Sequence, residues 1–297
     1  MQKIGFIGLG HMGLPMALHL VKAGHFVTGF DLQSTPLQQL HAQGGKVARS
    51  AREAAVDQDV VVTMLQTGQQ VQDVAFGTHG FLSVMSQESL WIDSSTIDVN
   101  HARSGHQAAE AHGILSIDAP VSGGVAGANA ATLTFMVGGA EAAYQRAMPI
   151  LSLMGKKIIY AGASGNGQAA KICNNMILGI SMIGVSEAFM LAQSLGLTPQ
   201  KLHQVVSHAS GDCWVMDQYV PVPGVLDNVP ANHDYTPGFT VAMMLKDLCL
   251  SQQVAENAQL SLALASHATA LYQAFHDAGN GDRDFSAIIQ TYGSHPE

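Results

Sequence analysis

Positive charge is scarce in this sequence. Lys and Arg number 13 against 22 Asp and Glu, so the formal net charge is −9. Proteins that bind nucleic acids present a dense basic surface to the phosphate backbone. Nucleic acid is therefore not expected as a partner.

Cysteine is also rare. Cys173, Cys213 and Cys249 lie about 40 residues apart and form no CxxC pair, which argues against a disulfide framework and a zinc ribbon. The 14 histidines include no HExxH spacing, so no metal site is assigned.

No uninterrupted apolar run is long enough to cross a bilayer, which requires about 20 residues. The most apolar stretch, residues 176–195, is interrupted by Ser181, Ser186, Glu187 and Gln193. No membrane span is therefore expected. A strand pattern that starts at Lys3 leaves no room for a signal peptide before it, so a cytoplasmic location is expected.

The sequence does contain two halves with different hydrophobic periods. From Lys3 to about Tyr160, helical patterns alternate with short apolar segments, namely KIGFIG, FVTGFD, DVVVTML, SLWIDS, ILSIDAP, TLTFMVGG and KKIIYAG. This alternation is typical of βαβ units with a mostly parallel sheet. After the glycine-rich segment 161–167 the pattern becomes helical. We predict an α/β domain over residues 1–163 and an all-helical domain over residues 164–297, joined by a long helix.

The first 20 residues contain a glycine pattern, Gly8-x-Gly10-x-x-Gly13, between a strand and a helix. In dinucleotide-binding Rossmann folds the first glycine permits a tight turn, the second lets the backbone approach the pyrophosphate, and the third lets the helix pack on the strand. The helix N-terminus then offers amide donors to the phosphates. We therefore predict a Rossmann-type cofactor site that includes His11 and Met12, between the second and third glycines.

The second predicted strand ends at Asp31, about 20 residues after Gly10. A carboxylate at this place accepts hydrogen bonds from the ribose hydroxyls of NAD and repels the 2′-phosphate of NADP. The next residues, Leu32, Gln33 and Ser34, include no arginine that could bind a phosphate. NAD is therefore the expected cofactor. The alternative is that Asp31 only caps the following helix.

Two polar segments follow later strands, DSSTID at residues 93–98 and DAPVSGG at residues 118–124. In the second, Ser122 offers a hydroxyl, and Gly123 and Gly124 leave backbone amides open to an anion. Such a segment either binds a substrate carboxylate or is an ordinary strand-to-helix turn. Its position at the same predicted sheet edge as the glycine pattern favours the anion site.

Lys171 lies in the apolar helical stretch GNGQAAKICNNMILGI, residues 165–180, one turn before Asn175. A lysine is rarely buried without a partner or a task; the alternative is a side chain that reaches water with its ammonium group. This lysine stands at the domain junction, next to the sheet edge where such folds bind ligands. Lys171 and Asn175 share one helix face, and we predict that they form a polar stripe facing the active-site cleft.

The sequence resembles the β-hydroxyacid dehydrogenase family. The similarity extends over essentially the whole chain and rests on FIGLGHMGLPMA, TML, DSSTID, DAPVSGGVAGA, GNGQAAKICNN and MLKDL, which occur in the family's order and spacing. Residues 213–231, CWVMDQYVPVPGVLDNVPA, look like the 3-hydroxyisobutyrate branch. The resemblance implies a homodimer or homotetramer built through the helical domain.

The resemblance also implies roles for individual residues. Lys171 is implied as the catalytic lysine and Asn175 as a substrate-binding residue. The substrate carboxylate would be held by Ser122, Gly123 and Gly124. Cofactor contacts are implied at Leu65, Gln66, Thr96, Phe239 and Lys246.

Two of these interpretations have alternatives. Lys246 is a cofactor contact or forms an ion pair with Asp247 on the helix surface, and Trp214 forms a wall of the substrate pocket or packs in the core. Three positions depart from the usual family residues: Gln66 replaces proline, His19 replaces asparagine, and Asp212 replaces a frequent arginine. The first two departures should leave catalysis intact, whereas the third leaves the specificity of the acid pocket open.

The implied reaction is NAD-dependent oxidation of 3-hydroxyisobutyrate to methylmalonate semialdehyde, a step of valine breakdown. Removal of the hydroxyl proton needs a base, and an unperturbed lysine pKa of about 10.4 is too high for this task at neutral pH. Burial and the positive nicotinamide ring would have to lower the pKa of Lys171. Rival hypotheses are reduction of tartronate or succinic semialdehyde, oxidation of serine-like 3-hydroxy acids, and a cofactor-binding scaffold without turnover.

Overall fold

The computed structural model describes residues 1–293. Contacts between residues divide the chain into two units, Met1–Lys171 and Ile172–Glu297. One helix, Asn166–Ser194, runs through this boundary. The domain boundary predicted after residue 163 therefore lies just before that helix rather than within it.

A nine-stranded sheet organises the first unit. Its strands are β1 (Lys3–Ile7), β2 (Phe26–Phe30), β3 (Lys46–Val47), β4 (Val60–Thr63), β5 (Leu90–Asp93), β6 (Leu115–Asp118), β7 (Val121–Ser122), β8 (Leu133–Gly139) and β9 (Gly155–Gly162). The order is β3-β2-β1-β4-β5-β6-β8-β7, and β9 pairs with β8. Neighbouring strands are parallel except where β8 pairs with β6 and β7. The prediction of a mostly parallel sheet is confirmed.

Seven helices connect these strands. They are α1 (Gly13–Lys22), α2 (Ser34–Ala42), α3 (Ala51–Ala55), α4 (Gly68–Phe76), α5 (Val99–Ala111), α6 (Gly124–Ala130) and α7 (Glu141–Leu151), and a 3-10 turn spans Phe81–Val84. Three begin at a capping side chain: Ser50 for α3, Thr67 for α4 and Asp98 for α5. Each cap accepts hydrogen bonds from amides that have no partner within the helix.

The central strands are buried on both faces. Successive residues of a strand point to opposite faces, so in β4 Val60 and Val62 join one apolar cluster and Val61 joins another. In β5, Ile92 and Trp91 divide between the same two clusters. Burial on both faces explains why these strands are continuous apolar runs in the sequence.

The parallel direction places the ends of β1, β4, β5 and β6 at one edge of the sheet. The hydrogen-bond ladder extends past each strand, with bonds from Gly8 N to Phe30 O, Met64 N to Ile7 O, Ser94 N to Thr63 O and Ala119 N to Asp93 O. The ladder therefore aligns the glycine turn, the Leu65–Gln66 segment and the two polar segments DSSTID and DAPVSGG. Parallel α/β sheets bind their ligands at this edge.

The second unit is helical. Its helices are α8 (Asn166–Ser194), which begins in the first unit, α9 (Pro199–Val206), α10 (Trp214–Gln218), α11 (Val241–Asn257) and α12 (Ala263–Phe275). Short 3-10 segments span Pro230–His233 and Phe285–Tyr292, and a π-helical turn spans His276–Asn280.

Helices α8 and α11 approach each other closely at Gly179. A Cβ atom at this position would lie 3.1 Å from the Met244 sulfur and 3.1 Å from a methyl carbon of Leu248. Met182 and Phe189 of α8 continue the contact into the apolar core of the second unit. The close approach depends on the absence of a side chain at residue 179.

By length and composition alone, α8 could cross a membrane. Its mean hydropathy reaches 1.6 over 18 residues, 44% of which are buried. The polar residues that interrupt this stretch do not lower its average hydropathy enough to fail the criterion, and the expectation of no membrane span stays a prediction. Core helices of globular proteins satisfy the same criterion, and α8 carries core residues of the second unit.

All seven predicted strands are confirmed as β1, β2, β4, β5, β6, β8 and β9. The sequence did not predict β3 and β7, which have two residues each. Such short strands are defined by pairing with a neighbour and carry no hydrophobic period of their own.

Candidate active site

The three glycines of the turn after β1 meet different demands. Gly8 has φ +93°, and a Cβ there would lie 2.3 Å from the carbonyl oxygen of Met64. A Cβ at Gly13, where α1 begins, would lie 1.9 Å from the Gly8 oxygen. Gly10 differs, because nothing lies within 4 Å of its Cβ position. The fold needs Gly8 and Gly13, whereas the open space at Gly10 fits the approach of a pyrophosphate.

The other residues of this turn lie at its surface. His11 is exposed, and Met12 is half-buried against the core beside α1. Both precede the first residue of α1 and stand beside the open space at Gly10. This placement is compatible with the predicted cofactor contacts.

Asp31 follows β2 and ties two segments together. Its Oδ2 accepts a hydrogen bond from Leu9 N at 2.7 Å, and its Oδ1 accepts one from Gln33 N at 2.8 Å. Gln33, not Asp31, is the residue that flanks the start of α2. Each carboxylate oxygen can accept more than one hydrogen bond, so Asp31 retains acceptor capacity for a ribose. Its side chain is half-exposed.

The loops after β4 and β5 are linked to each other. Leu65 N donates to Ser95 Oγ at 2.9 Å. The backbone N–H of Gln66 donates to the side-chain oxygen Oε1 of Gln70, in the first turn of α4. Leu65 also borders Gly8, since its side chain would lie 3.0 Å from a Cβ there. The predicted cofactor residues Leu65 and Thr96 therefore lie on connected loops at the carboxyl edge of the sheet.

A buried carboxylate supports this pair of loops. Asp93, at the end of β5, accepts hydrogen bonds from Thr63 Oγ1 at 2.7 Å and Ser95 N at 3.1 Å. Trp91 Nε1 donates to the same threonine hydroxyl at 3.0 Å. Burial raises the pKa of Asp93 to about 6, with a smaller contribution from the negative charge of Asp118. Desolvation disfavours the ionised carboxylate more than its hydrogen bonds favour it.

The predicted carboxylate site lies after β7. Ser122 is half-buried, and α6 begins at Gly124. Gly123 has φ +123° and Gly124 has φ +59°, which are conformations that side chains disfavour. Space does not explain Gly123, because its nearest neighbour would be 3.4 Å from a Cβ. Backbone conformation therefore requires glycine at residue 123 and leaves the amides of this turn without flanking side chains.

His19, where the family usually has asparagine, contacts the other end of α6. Its Nε2 lies 3.0 Å from the carbonyl oxygens of both Ala128 and Asn129. A ring N–H can donate to either of these carbonyls, which lie at the C-terminal end of α6. His19 therefore links α1 to α6, and this departure is structurally accommodated.

Lys171 is buried, with 7% of its surface exposed. The surface-lysine alternative is therefore wrong. The residue lies in the second turn of α8, whose start is fixed on the sheet by Asp118 at the end of β6. Oδ1 of Asp118 accepts from Gly165 N at 2.8 Å, and Oδ2 accepts from Gln168 N at 2.8 Å. His106 Nε2 donates to the same Oδ1 at 2.9 Å.

Asn175 lies one turn after Lys171 and belongs to the second unit. It is buried, and its Nδ2 donates to Asp247 Oδ2 on α11 at 2.5 Å. Lys246 Nζ lies 3.3 Å from Asp247 Oδ1. The ion pair considered for Lys246 is present, although its acidic partner is buried and does not lie on the surface. This pair does not exclude a cofactor contact by Lys246.

The remaining predicted residues of the second unit lie near Asp284. Trp214 is 52% exposed and stacks on Tyr219 with ring centroids 5.2 Å apart, so the core-packing alternative does not hold for Trp214. Phe239 precedes α11, and its amide donates to Asp284 Oδ2 at 3.2 Å. Tyr219 OH donates to the same oxygen at 2.9 Å.

The sequence did not identify Asp93, Asp118 and Gln168 as supporting residues, and it named Asp247 only as a partner of Lys246 and not as the acceptor for Asn175. A signal was available for each, because all are polar residues within or directly after apolar stretches. The same argument identified Lys171. Within residues 1–293, no group of three or more His, Cys, Asp or Glu side chains could hold a metal ion.

Comparison with known proteins agrees with this geometry. Residues 3–162 match the family described as the NAD binding domain of 6-phosphogluconate dehydrogenase, and residues 165–292 match the NAD-binding domain of NADP-dependent 3-hydroxyisobutyrate dehydrogenase. The chain is 49% identical to a probable 3-hydroxyisobutyrate dehydrogenase of Mycobacterium tuberculosis, over 98% of both chains. It is 43% identical to an NAD-dependent L-serine dehydrogenase of Pseudomonas aeruginosa, also over 98% of both.

A solved structure of Mycobacterium tuberculosis 3-hydroxyisobutyrate dehydrogenase with L-serine is similar along the whole length. It covers 99% of this chain and 100% of its own, with 48% identity and a TM-score of 0.94. Together with the glycine turn and Asp31, these similarities identify the cofactor as NAD. The chain is an NAD-dependent oxidoreductase and belongs to the 3-hydroxyisobutyrate dehydrogenase family.

Proposed function

We propose that this protein oxidises 3-hydroxyisobutyrate to methylmalonate semialdehyde, as in valine breakdown, with Lys171 as the base. The observation that carries the proposal is the burial of Lys171 in a helix that starts at the carboxyl edge of the NAD-binding sheet. Relatives at 49% and 45% identity that are named 3-hydroxyisobutyrate dehydrogenase support the choice of substrate.

The residues divide the chemistry between them. NAD, when bound, takes the hydride from the alcohol carbon. The neutral Lys171 Nζ accepts the hydroxyl proton as the C=O bond forms. The Ser122 hydroxyl and the amides of Gly123 and Gly124 hold the substrate carboxylate, and Asn175 orients the reacting hydroxyl. Phe239, Lys246, Leu65, Gln66 and Thr96 contact the cofactor, and Trp214 lines the substrate pocket, as the family resemblance implies.

Substrate length follows from this arrangement. In the family that the chain resembles, the separation of the carboxylate site from the catalytic lysine suits a hydroxyl on the carbon β to the carboxylate, and we propose the same separation here. A 2-hydroxy acid places its alcohol one bond nearer to the carboxylate, and a misplacement of about 1 Å can lower the rate on the order of a hundredfold. 3-Hydroxyisobutyrate should therefore exceed lactate in kcat/KM by about this factor.

Initial rates across a substrate panel test the proposal. The panel contains 3-hydroxyisobutyrate, 3-hydroxypropionate, L-serine and lactate with NAD or NADP, and tartronate and succinic semialdehyde with NADH. The highest kcat/KM is expected for 3-hydroxyisobutyrate with NAD. Comparable rates on lactate would show that the carboxylate is not held at Ser122, and faster reduction of tartronate semialdehyde would assign the protein to that reaction.

L-Serine is a second candidate substrate, favoured by one departure from the family pattern. Asp212 is exposed and stands two residues before Trp214, where relatives often carry arginine. A carboxylate there attracts an ammonium group, which L-serine has and 3-hydroxyisobutyrate lacks. If serine is the substrate, Asp212→Asn will lower kcat/KM for serine alone. Asp217→Asn, at another exposed carboxylate on α10, is the matched control.

We also propose that the protein is a homodimer or homotetramer assembled through the helical unit, and that it acts in the cytoplasm. Large apolar side chains on α8 and directly after it are exposed, at 60% for Ile177 and 61% for Leu191 on the helix and 77% for Leu195, which follows its last residue. Exposed apolar surface of this kind marks interfaces. Sedimentation velocity should give a dimer or tetramer that Leu191→Glu with Leu195→Glu dissociates. A monomeric wild type would contradict the assembly.

A further inference from the structure

The side chain of Gln168 holds the segment around Thr96 at both ends. Its Oε1 accepts a hydrogen bond from Ile97 N at 3.1 Å, and its Nε2 donates to Ser95 O at 2.7 Å. Gln168 has no exposed surface. The two bonds bracket Thr96, so one amide group fixes the backbone on both sides of a residue assigned to the cofactor.

The backbone of Gln168 is fixed just as firmly. Its amide donates to Asp118 Oδ2 at 2.8 Å, which is one of two helix-start amides held by that carboxylate. A Cβ at the preceding residue, Gly167, would lie 2.4 Å from Met136 O and 2.7 Å from Asp118 O. The start of α8 is therefore packed directly on the backbone at the end of β6 and on that of β8, and it has little freedom to shift.

Lys171 follows Gln168 by three residues. Residues three apart lie on the same side of a helix and are separated by about 4.5 Å along its axis. The backbone that carries the Lys171 side chain is thus one turn from the amide that holds Ser95 and Ile97.

We propose that Gln168 is a positioning residue that sets the distance between the cofactor segment at Thr96 and the base Lys171. The inference rests on the proposed function, which assigns those two roles. Oxidation requires one alcohol to reach the hydride acceptor and the base at the same time, so their separation must match the substrate. A buried amide that only stabilised the fold would not affect the turnover of molecules that remain folded.

Two substitutions separate these possibilities. Gln168→Met keeps the length of the side chain but removes both hydrogen bonds. Gln168→Glu keeps the shape and restores both bonds only when protonated, because the carboxylic acid O–H can donate to Ser95 O while the other oxygen accepts from Ile97 N. The ionised carboxylate cannot donate, so the oxygen that replaces Nε2 would face the carbonyl oxygen of Ser95 without a proton between them.

The pH dependence of Gln168→Glu is therefore diagnostic. Other ionisable groups surround the position on every neighbouring element: Lys171 on α8, Asp93 and Asp98 beside the segment 95–97, Asp118 on β6, and Arg103 and His106 on α5. All of them are present in the wild type as well. The ratio of variant to wild-type kcat/KM at each pH therefore cancels their titrations and leaves the effect of protonating the side chain introduced at residue 168.

The expected results are specific. Gln168→Met should retain the melting temperature within a few degrees and lose roughly ten- to a hundredfold in kcat/KM. For Gln168→Glu, the ratio to wild type should rise by about tenfold between pH 8 and pH 6 as the buried acid becomes protonated. In the cofactor-free protein, hydrogen exchange at the Ile97 amide should accelerate in Gln168→Met. This last readout does not depend on activity.

Asn232→Leu is the matched control. Asn232 is another amide that bridges backbone groups, accepting from Gly224 N at 2.8 Å and donating to the carbonyl oxygens of Leu226 and Asp227. Its loss should leave kcat and exchange at Ile97 unchanged. Folded Gln168→Met with kcat within about twofold of wild type would overturn the proposal, as would a pH-independent ratio for Gln168→Glu.

Failure of the inference is distinguishable from failure of the proposed function. An active Lys171→Ala enzyme would remove the base assignment and the proposed mechanism together. A Lys171→Ala enzyme without turnover, combined with fully active Gln168→Met, would overturn only the positioning role. If Gln168→Met does not fold, the pH dependence of the kcat/KM ratio between Gln168→Glu and wild type decides whether Gln168 has the positioning role.

Discussion

Asn175 on α8 donates through Nδ2 to Oδ2 of Asp247 on α11 at 2.5 Å. The two residues are 72 positions apart and both are buried. The other carboxylate oxygen of Asp247 faces Lys246 Nζ at 3.3 Å. The buried Asp247 carboxylate is thus stabilised by one amide and one cation. Asn175 lies one turn of α8 before Gly179, where α8 and α11 approach each other closely.

Removing the amide should destabilise the second unit. Asn175→Ala leaves Asp247 buried without its amide donor, and we expect a loss of about 1–3 kcal/mol in the free energy of unfolding, measured by urea denaturation. Asn257→Ala, at an exposed asparagine at the end of α11, is the control and should cost about 0.5 kcal/mol or less. In a double-mutant cycle, Asn175→Ala with Asp247→Ala should cost less than the sum of the single variants. Strict additivity would contradict the coupling.

Lys171→Ala should separate turnover from cofactor binding. Loss of a general base typically lowers the rate by about two to four orders of magnitude. The glycine turn and Asp31 are unchanged in this variant, so the Kd for NAD, measured by fluorescence titration, should stay within a few-fold of wild type. A folded Lys171→Ala enzyme with near wild-type kcat would rule out the mechanism.

Asp31 should determine the preference for NAD over NADP. Asp31→Ser combined with Leu32→Arg removes the negative charge and supplies a cation, so the ratio of kcat/KM values should move toward NADP. Leu32→Arg alone is the control, since residue 32 is 87% exposed and the carboxylate remains to repel the 2′-phosphate. The assignment fails if the wild type already uses NADP more efficiently.

Asp93 should make the stability of the protein depend on pH in a particular direction. Its pKa is raised to about 6 in the folded protein, against about 3.9 in an unfolded chain. Between pH 4 and pH 6, Asp93 binds more protons in the folded state than in the unfolded chain. Its favourable contribution to the free energy of unfolding is therefore fully present below about pH 4 and is lost as the pH rises through 6. The difference between the folded and unfolded pKa values of Asp93 corresponds to about 3 kcal/mol in the free energy of unfolding.

Asp93→Asn removes this titration. Relative to wild type, its free energy of unfolding should therefore increase by up to about 3 kcal/mol between pH 4 and pH 7, measured by urea denaturation at each pH. Asp57→Asn, at an exposed carboxylate, should leave the pH dependence unchanged. A difference between Asp93→Asn and wild type that is constant with pH would show that Asp93 does not titrate in this range.

Local sequence was sufficient for the features that depend on a few adjacent residues. The spacing of Gly8, Gly10 and Gly13 predicted the turn, because the positive φ of Gly8 and the close contact of Gly13 with the Gly8 oxygen arise within one strand-turn-helix unit. The apolar runs of β4 and β5 predicted buried strands, since burial on both faces requires apolar residues at every position. The contrast between the two halves of the chain predicted a sheet followed by helices.

Tertiary structure alone decided which polar groups meet around the start of α8. Asp118 reaches Gln168 across 50 positions, Gln168 reaches Ile97 across 71 positions, and Asn175 reaches Asp247 across 72. These partners meet because parallel strands bring distant segments to one edge of a sheet and because Gly179 allows two helices to approach. Residue types indicate that a polar group needs a partner. Which partner it finds depends on strand order and helix packing, which no local pattern records.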